Sequence, residues 1–311
     1  MKKRTLFAAA GTLWFLSAGI SLLARQEASV PGTPVSMVVT AEAKRGRAIP
    51  PLMAEDLAVS QGRDKRPVTS LEPLTGAKLQ LLLLIDDSAA FSFNTEISTL
   101  KNFVTALPSN TEVAVGYMRN GTNQMTSGFT SDHAAAAKSI RVATGPGGAD
   151  TSPYDSLAEA VKKWPATDAR RREIIMISSG IEGLGGGFTS DNPYVNAGIE
   201  ATQKAGVVVY TIYTPGVGHA GHSFWRGTWG QNFLSQLSDE TGGEFYAVGF
   251  GSPVSFDPYL KAILDALQHQ YLLTFVAHPE AKAGLQPVHA TVIEKDASLA
   301  APSKVFVRAG L

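Results

Sequence analysis

His219 and His222 stand three residues apart in Gly216-Val217-Gly218-His219-Ala220-Gly221-His222-Ser223-Phe224-Trp225-Arg226-Gly227-Thr228-Trp229. On a helix that spacing lets both imidazoles reach one metal ion, but the surrounding glycines predict a surface loop, and no His-Glu-x-x-His pattern supplies the base of a zinc peptidase. The chain has Cys 0. Thiolate nucleophiles, disulfides, iron–sulfur clusters and every cysteine-containing zinc site are therefore excluded, leaving His 6 and the carboxylates as metal ligands. Gly145-Pro146-Gly147-Gly148 lacks the Gly-Lys-Ser/Thr ending whose lysine and hydroxyl serve phosphate and Mg²⁺, so nucleotide binding is not expected. There is no Gly-x-Ser-x-Gly elbow, and no serine stands with a His and an acid in a recognisable order. The expectation is a protein that is not an enzyme, with a hydrolase built on His219 and His222 as the outlying alternative.

The same loop carries Trp225, Arg226 and Trp229, and tryptophan and arginine are among the residue types that dominate interface hot spots. With His219 and His222 they form a candidate ligand-binding surface, joined by the Gly183-Leu184-Gly185-Gly186-Gly187-Phe188 loop. The opposing reading is that the tryptophans pack inward and pin a long loop. Charge narrows the partner: Lys+Arg 27 equals Asp+Glu 27, so no overall basic excess exists to neutralise a phosphate backbone, and nucleic acid is not expected as a partner.

The elements that must position these residues are legible. Leu81-Leu82-Leu83-Leu84-Ile85 is a continuous apolar run ending in Asp86-Asp87-Ser88, as a strand buried on both faces of a parallel sheet requires. Ile174-Ile175-Met176-Ile177 and the run over 207–213 share that character. Ser152-Pro153-Tyr154-Asp155 predicts a helix start, with Ser152 as cap and Asp155 as its capping-box partner rather than as catalysts. Asn192-Pro193 and Asp257-Pro258 repeat the cap-then-proline device, and Gly206 and Gly242 sit where left-handed helix ends are wanted. Asn120-Gly121 predicts a tight hairpin and hence an antiparallel edge. The fold class expected over 77–269 is α/β, a doubly wound, mostly parallel sheet with one antiparallel edge strand.

The ends read differently. Lys2, Lys3 and Arg4 precede an uncharged, apolar segment over 5–24, closed by Arg25, in the order of an export signal. Residues 1–28 are expected to act as a signal peptide or N-terminal anchor, the only membrane contact foreseen, and to leave the rest extracytoplasmic. Short β-prone pieces at Ser36–Thr40, Leu57–Val59 and Pro67–Thr69 in region 29–76 have counterparts over 271–276, 288–293 and 305–307 in region 270–311. One smaller β domain built from both chain ends is expected, because isolated short sheets bury too little surface.

Asp86-Asp87-Ser88-Ala89-Ala90, then Gly147-Gly148-Ala149-Asp150-Thr151, then Ser178-Ser179-Gly180 all fall at the C-terminal edge of the expected sheet. In that order they resemble the von Willebrand factor type A domain, whose metal-ion-dependent adhesion site uses Asp-x-Ser-x-Ser, a Thr and a third-loop Asp. The flanks, with Glu55-Asp56-Leu57-Ala58-Val59 before and Thr241-Gly242-Gly243 after, are similar to exported bacterial VWFA-related proteins of the acidobacterial type. The resemblance implies Asp86, Ser88 and Thr151 as ligands of Mg²⁺ or Mn²⁺. Ala90 stands where the second Ser belongs and Ser179 where the Asp belongs, so the site is degenerate. A hard cation takes about six oxygens, and the lost carboxylate removes a unit of attraction; metal binding is expected to be weak or lost. The resemblance implies an exported adhesion or binding module for a protein or other extracytoplasmic ligand. A structural component of an envelope assembly, acting through the β domain, is the alternative.

Overall fold

The computed structural model describes residues 32–44, 48–89, 91–144, 152–183, 185, 189, 191–216, 223–247, 249, 255–278, 280–293 and 296–309. The export segment, Ala90, Thr151, His219 and His222 lie outside them. No described helix is long and apolar enough to cross a membrane.

The run at Leu81 to Ile85 lies in β5 (Leu79–Asp86), buried at every position. β5 pairs in parallel with β6 (Thr111–Arg119) on one side and β8 (Arg171–Ser178) on the other. β9 (Val208–Tyr213) continues parallel to β8, followed by the two-residue β10 (Phe245–Tyr246). β7 (Thr122–Thr130) closes the other edge antiparallel to β6. Asn120 and Gly121, with φ of 51° and 69°, supply the left-handed pair that a tight hairpin needs. The six-stranded order is β10-β9-β8-β5-β6-β7, the doubly wound α/β sheet with one antiparallel edge that the sequence predicts.

Alternate residues of β5 serve two cores. Leu81, Leu83 and Ile85 pack with the apolar faces of α1 (Ile97–Thr105), α2 (His133–Lys138) and α6 (Asp257–Gln268). Leu82 and Leu84 pack with α3 (Pro153–Lys162), α4 (Pro193–Ala205) and α5 (Phe224–Thr241). Ser152 and Asn192 cap α3 and α4 through Asp155 N and through Tyr194 N and Val195 N, and Gly206 and Gly242 end α4 and α5 in the left-handed conformation. Asp257 departs from expectation. It is the first residue of α6 rather than its cap; Glu96 accepts from Phe256 N at 2.9 Å and Ser255 Oγ from Asp257 N at 3.1 Å.

Two four-stranded antiparallel sheets use both ends of the described chain. One has β1 (Thr33–Ala43) between β13 (Ala297–Ala300) and β11 (Gln270–Ala277), with β4 (Val68–Pro73) on β11's far side. The other runs β14 (Lys304–Val307), β12 (Gly284–Val292), β2 (Leu57–Gln61), β3 (Asp64–Arg66). They share a core that includes Val39, Val59, Leu273, Phe275, Val288 and Val307. β3 and β13 have no counterpart in the sequence reading. β3 is the charged triplet Asp64-Lys65-Arg66, and β13 is Ala-Ser-Leu-Ala, with no β-branched residue.

Candidate functional site at the sheet's switch point

The crossover direction reverses at β5, so the crevice of a doubly wound sheet lies where β5 and β8 end side by side. Asp86 occupies that point, 3% exposed. Its Oδ1 accepts from Ser88 Oγ at 2.6 Å and Ser88 N at 2.9 Å, and its Oδ2 accepts from Ser178 Oγ at 2.8 Å. Ser178 Oγ in turn accepts from Gly180 N at 3.0 Å. Burial raises the Asp86 carboxyl above its ordinary range, against the lowering effect of these bonds and with a small added push from Asp87.

Asp87 turns the other way, as strand alternation requires. Arg141 reaches it at 2.7 and 3.3 Å, Thr144 N donates at 3.0 Å, and Arg119 lies at 3.6 Å. Burial alone pushes this carboxyl up, but the Arg141 and Thr144 bonds and the two guanidiniums outweigh it and hold the group lowered. Arg141 also stacks 3.9 Å over the Tyr117 ring. Arg141 and Arg119 carry no spacing signal toward Asp87; only the fold brings them there.

The metal expectation rests on Asp86, Ser88 and Thr151. Asp86 and Ser88 are adjacent in space, and Ser178, missed by the motif comparison, completes the cluster. No group of three His, Asp or Glu able to hold a metal occurs among the described residues. One desolvated carboxylate, with both oxygens already accepting from amide and hydroxyl donors, is a poor donor set for a divalent cation that takes about six oxygens and wants anionic charge. Thr151, the third expected ligand, lies outside the described residues, so the described part of the cluster supplies one carboxylate and two hydroxyls. Asp86 ties its own loop to the end of β8.

The tryptophan segment corrects the loop expectation. Helix α5 begins at Phe224, with Ser223 Oγ accepting from Arg226 N. Two other glycines are packing residues: a Cβ on Gly230 would stand 2.1 Å from Ser179 O, and one on Gly180, at φ +67°, 2.2 Å from Gly230 O. The helix backbone therefore rests directly on the loop after β8. Trp229 packs inward, 5.6 Å from Phe233, which meets Tyr154 edge-on at 6.2 Å. The Tyr154 hydroxyl donates to Gly180 O at 3.1 Å. Trp225 meets Trp229 at 6.1 Å and 76°, yet is 60% exposed beside Phe224 at 69%. The inward-pinning reading thus holds for Trp229, while Trp225, Phe224 and the exposed Arg226 face solvent at the sheet's C-terminal edge. Phe224 was not singled out from the sequence.

No family model matches the chain, and no curated protein matches it. Among solved structures it is similar to an aerotolerance-related membrane protein from Bacteroides fragilis (15% identity over 61% of this chain and 98% of that one, TM-score 0.41). It is similar to BatB from Bacteroides thetaiotaomicron (14%, 61% and 97%, TM-score 0.44) and to the SpRpn10 VWA domain (11%, 60% and 94%, TM-score 0.39). The order and direction of its six strands give a doubly wound α/β fold with one antiparallel edge, the fold class that the sequence resemblance implies.

Proposed function

We propose that the chain is an exported, non-enzymatic binding module that engages a protein partner through the first turn of α5, without a resident divalent cation. The observation that carries the reading is the pair Phe224 and Trp225, 69% and 60% exposed. Trp225 is backed by Trp229, Phe233 and Tyr154 in an aromatic series that reaches the core. An aromatic that is both exposed and braced costs little side-chain entropy on binding, which is what interface anchors need. Its position on the switch-point edge, where open α/β sheets take ligands, supports the same reading. Export rests on the charged-then-apolar order at the N-terminus.

Crosslinking from a photoreactive residue at position 224 in the full chain identifies the partner, whose affinity is then measured against Trp225→Ala. A loss of about tenfold or more is expected for a hot-spot aromatic. Unchanged affinity in both Trp225→Ala and Phe224→Ala overturns the reading. A structural component acting through the β sheets remains the second reading, favoured by Phe306, 40% exposed on β14 at a sheet edge. In that case substitutions on β14, not on α5, weaken association.

A further inference from the structure

At the opposite end of the parallel sheet, where β8 and β9 begin, a groove of about 330 Å³ opens between the α/β sheet, the C-terminal end of α4, β1 and β14. Five cations line it: Arg170, Arg172, Lys204, Lys304 and Arg308, with no Asp or Glu among the lining residues. In a chain of formal net charge +0 this is a local concentration of one sign. Arg170 has a carboxylate partner in Glu72 at 2.6 Å and Lys204 one in Glu200 at 3.5 Å. Arg172 donates to the Ala205 carbonyl at the C-terminal end of α4, whose partial negative charge offsets part of the guanidinium charge without a carboxylate. Arg172, Lys304 and Arg308 have no carboxylate partner among the described residues.

Two further observations point to a ligand. Gln203 lines the groove at 4% exposure; its amide nitrogen donates to Glu240 O and Ser303 Oγ, while its Oε1 has no hydrogen-bond partner among the described residues. Burial also depresses the Arg172 guanidinium, a strain that a bound anion relieves. Apolar lining residues that include Val35, Val207, Leu272 and Phe306 suit an organic body between charged ends.

We infer that this groove binds a small organic polyanion, bearing two or more phosphate or carboxylate groups and a hydrogen-bond donor that reaches Gln203. Guanidinium forks match both oxyanions in two-point geometry, and lysine adds a mobile point charge. The site lies apart from the first turn of α5, touching that helix only at its last residue, Thr241, and does not rest on the proposed function.

The test is calorimetric titration of the full chain with pyrophosphate and, in a second arm, with citrate, at low salt. Saturable binding in at least one arm is expected, and the stronger arm distinguishes phosphate from carboxylate. The double variant Lys304→Gln/Arg308→Gln is expected to bind about tenfold more weakly or worse. Lys101→Gln/Lys138→Gln, which removes the same charge from α1 and α2, is expected to bind like the parent. The single variants Lys304→Gln and Arg308→Gln are measured alongside, so that a folding defect in the double variant leaves a readout. No saturable heat in either arm at about 10 mM anion, a concentration that weak polar sites still register, overturns the inference. Equal weakening by the groove and control variants overturns it too.

Discussion

Ser178 Oγ donates to Asp86 Oδ2 at 2.8 Å, joining the ends of β8 and β5 through a pair buried to 0% and 3% exposure. With Ser88 on the other oxygen, Asp86 is closed by donors from two loops. Removing the Ser178 hydroxyl leaves a buried carboxylate oxygen without its partner and frees Gly180 N from its acceptor. Ser178→Ala is expected to cost about 1–3 kcal/mol, read as a lower midpoint in urea unfolding. An unchanged midpoint means that the bond is replaced by water.

Because Asp86 is already satisfied internally, added metal has little to gain. Calorimetric titration with Mg²⁺ or Mn²⁺ is expected to give no saturable signal up to about 1 mM, a range in which weak carboxylate sites still fill. The thermal midpoint of the protein is expected not to move with either ion. A saturable signal that Asp86→Ala abolishes would reinstate the cation and redirect the partner search toward acidic residues.

Gly230 and Gly180 set the position of α5. A methyl group on Gly230 meets Ser179 O at 2.1 Å, a backbone atom that cannot rotate away. Gly230→Ala is therefore expected to destabilise by about 1–3 kcal/mol, although alanine is the better helix former. A stabilised variant shows that helix propensity outweighs the close packing here.

How much of this was legible follows from the range of the interactions. Continuous apolar runs, the Ser152 and Asn192 caps and Asn120-Gly121 act within a few residues, so β5, α3, α4 and the antiparallel edge could be read directly. The start of α5 could not, because the glycines before and within it look like loop residues, and the packing role of Gly230 appears only when the Ser179 loop is laid against it. The N-terminus of α6 is satisfied by Glu96 from a distant segment, which no local capping pattern contains. The cation-lined groove takes its charges from separate segments of β8, α4 and the chain's C-terminal end, so no charge run announces it and the neutral total conceals it.

Trp225 and Trp229 are expected to behave oppositely on truncation. Trp225 is mostly exposed, so Trp225→Ala should change the stability of the free protein by no more than about 0.5 kcal/mol. Trp229 packs on Phe233 and the core, so Trp229→Ala should cost about 2 kcal/mol from lost apolar burial. Chemical unfolding of both variants checks the contrast; equal losses imply that Trp225 also serves packing and remove the main support for α5 as the binding surface.

Glu173, at 0% exposure near the base of β8, gives the fold a pH dependence. Neither carboxylate oxygen has a well-formed hydrogen bond among the described residues, although the Gln270 side chain lies near enough to act on the group. Burial pushes its carboxyl from 4.5 to about 7, with the nearby Arg171 guanidinium and the Gln270 side chain offsetting part of the shift. Arg171 is itself tied to Leu267 O, Gln270 Oε1 and Ala77 O, and so holds the sheet base to α6 and β11 rather than pairing with the acid. The folded state keeps the Glu173 proton in a range where the unfolded chain has released it. Its contribution is therefore fully present below about pH 4.5 and is lost as pH rises toward 7, beyond which it no longer changes. Glu173→Gln retains shape without the buried charge, so it is expected to flatten that slope and to be more stable than the parent by a few kcal/mol above pH 7. Urea unfolding at pH 5 and pH 8 reads the difference. If the variant and the parent lose the same stability between those two values, Glu173 is not the titrating group.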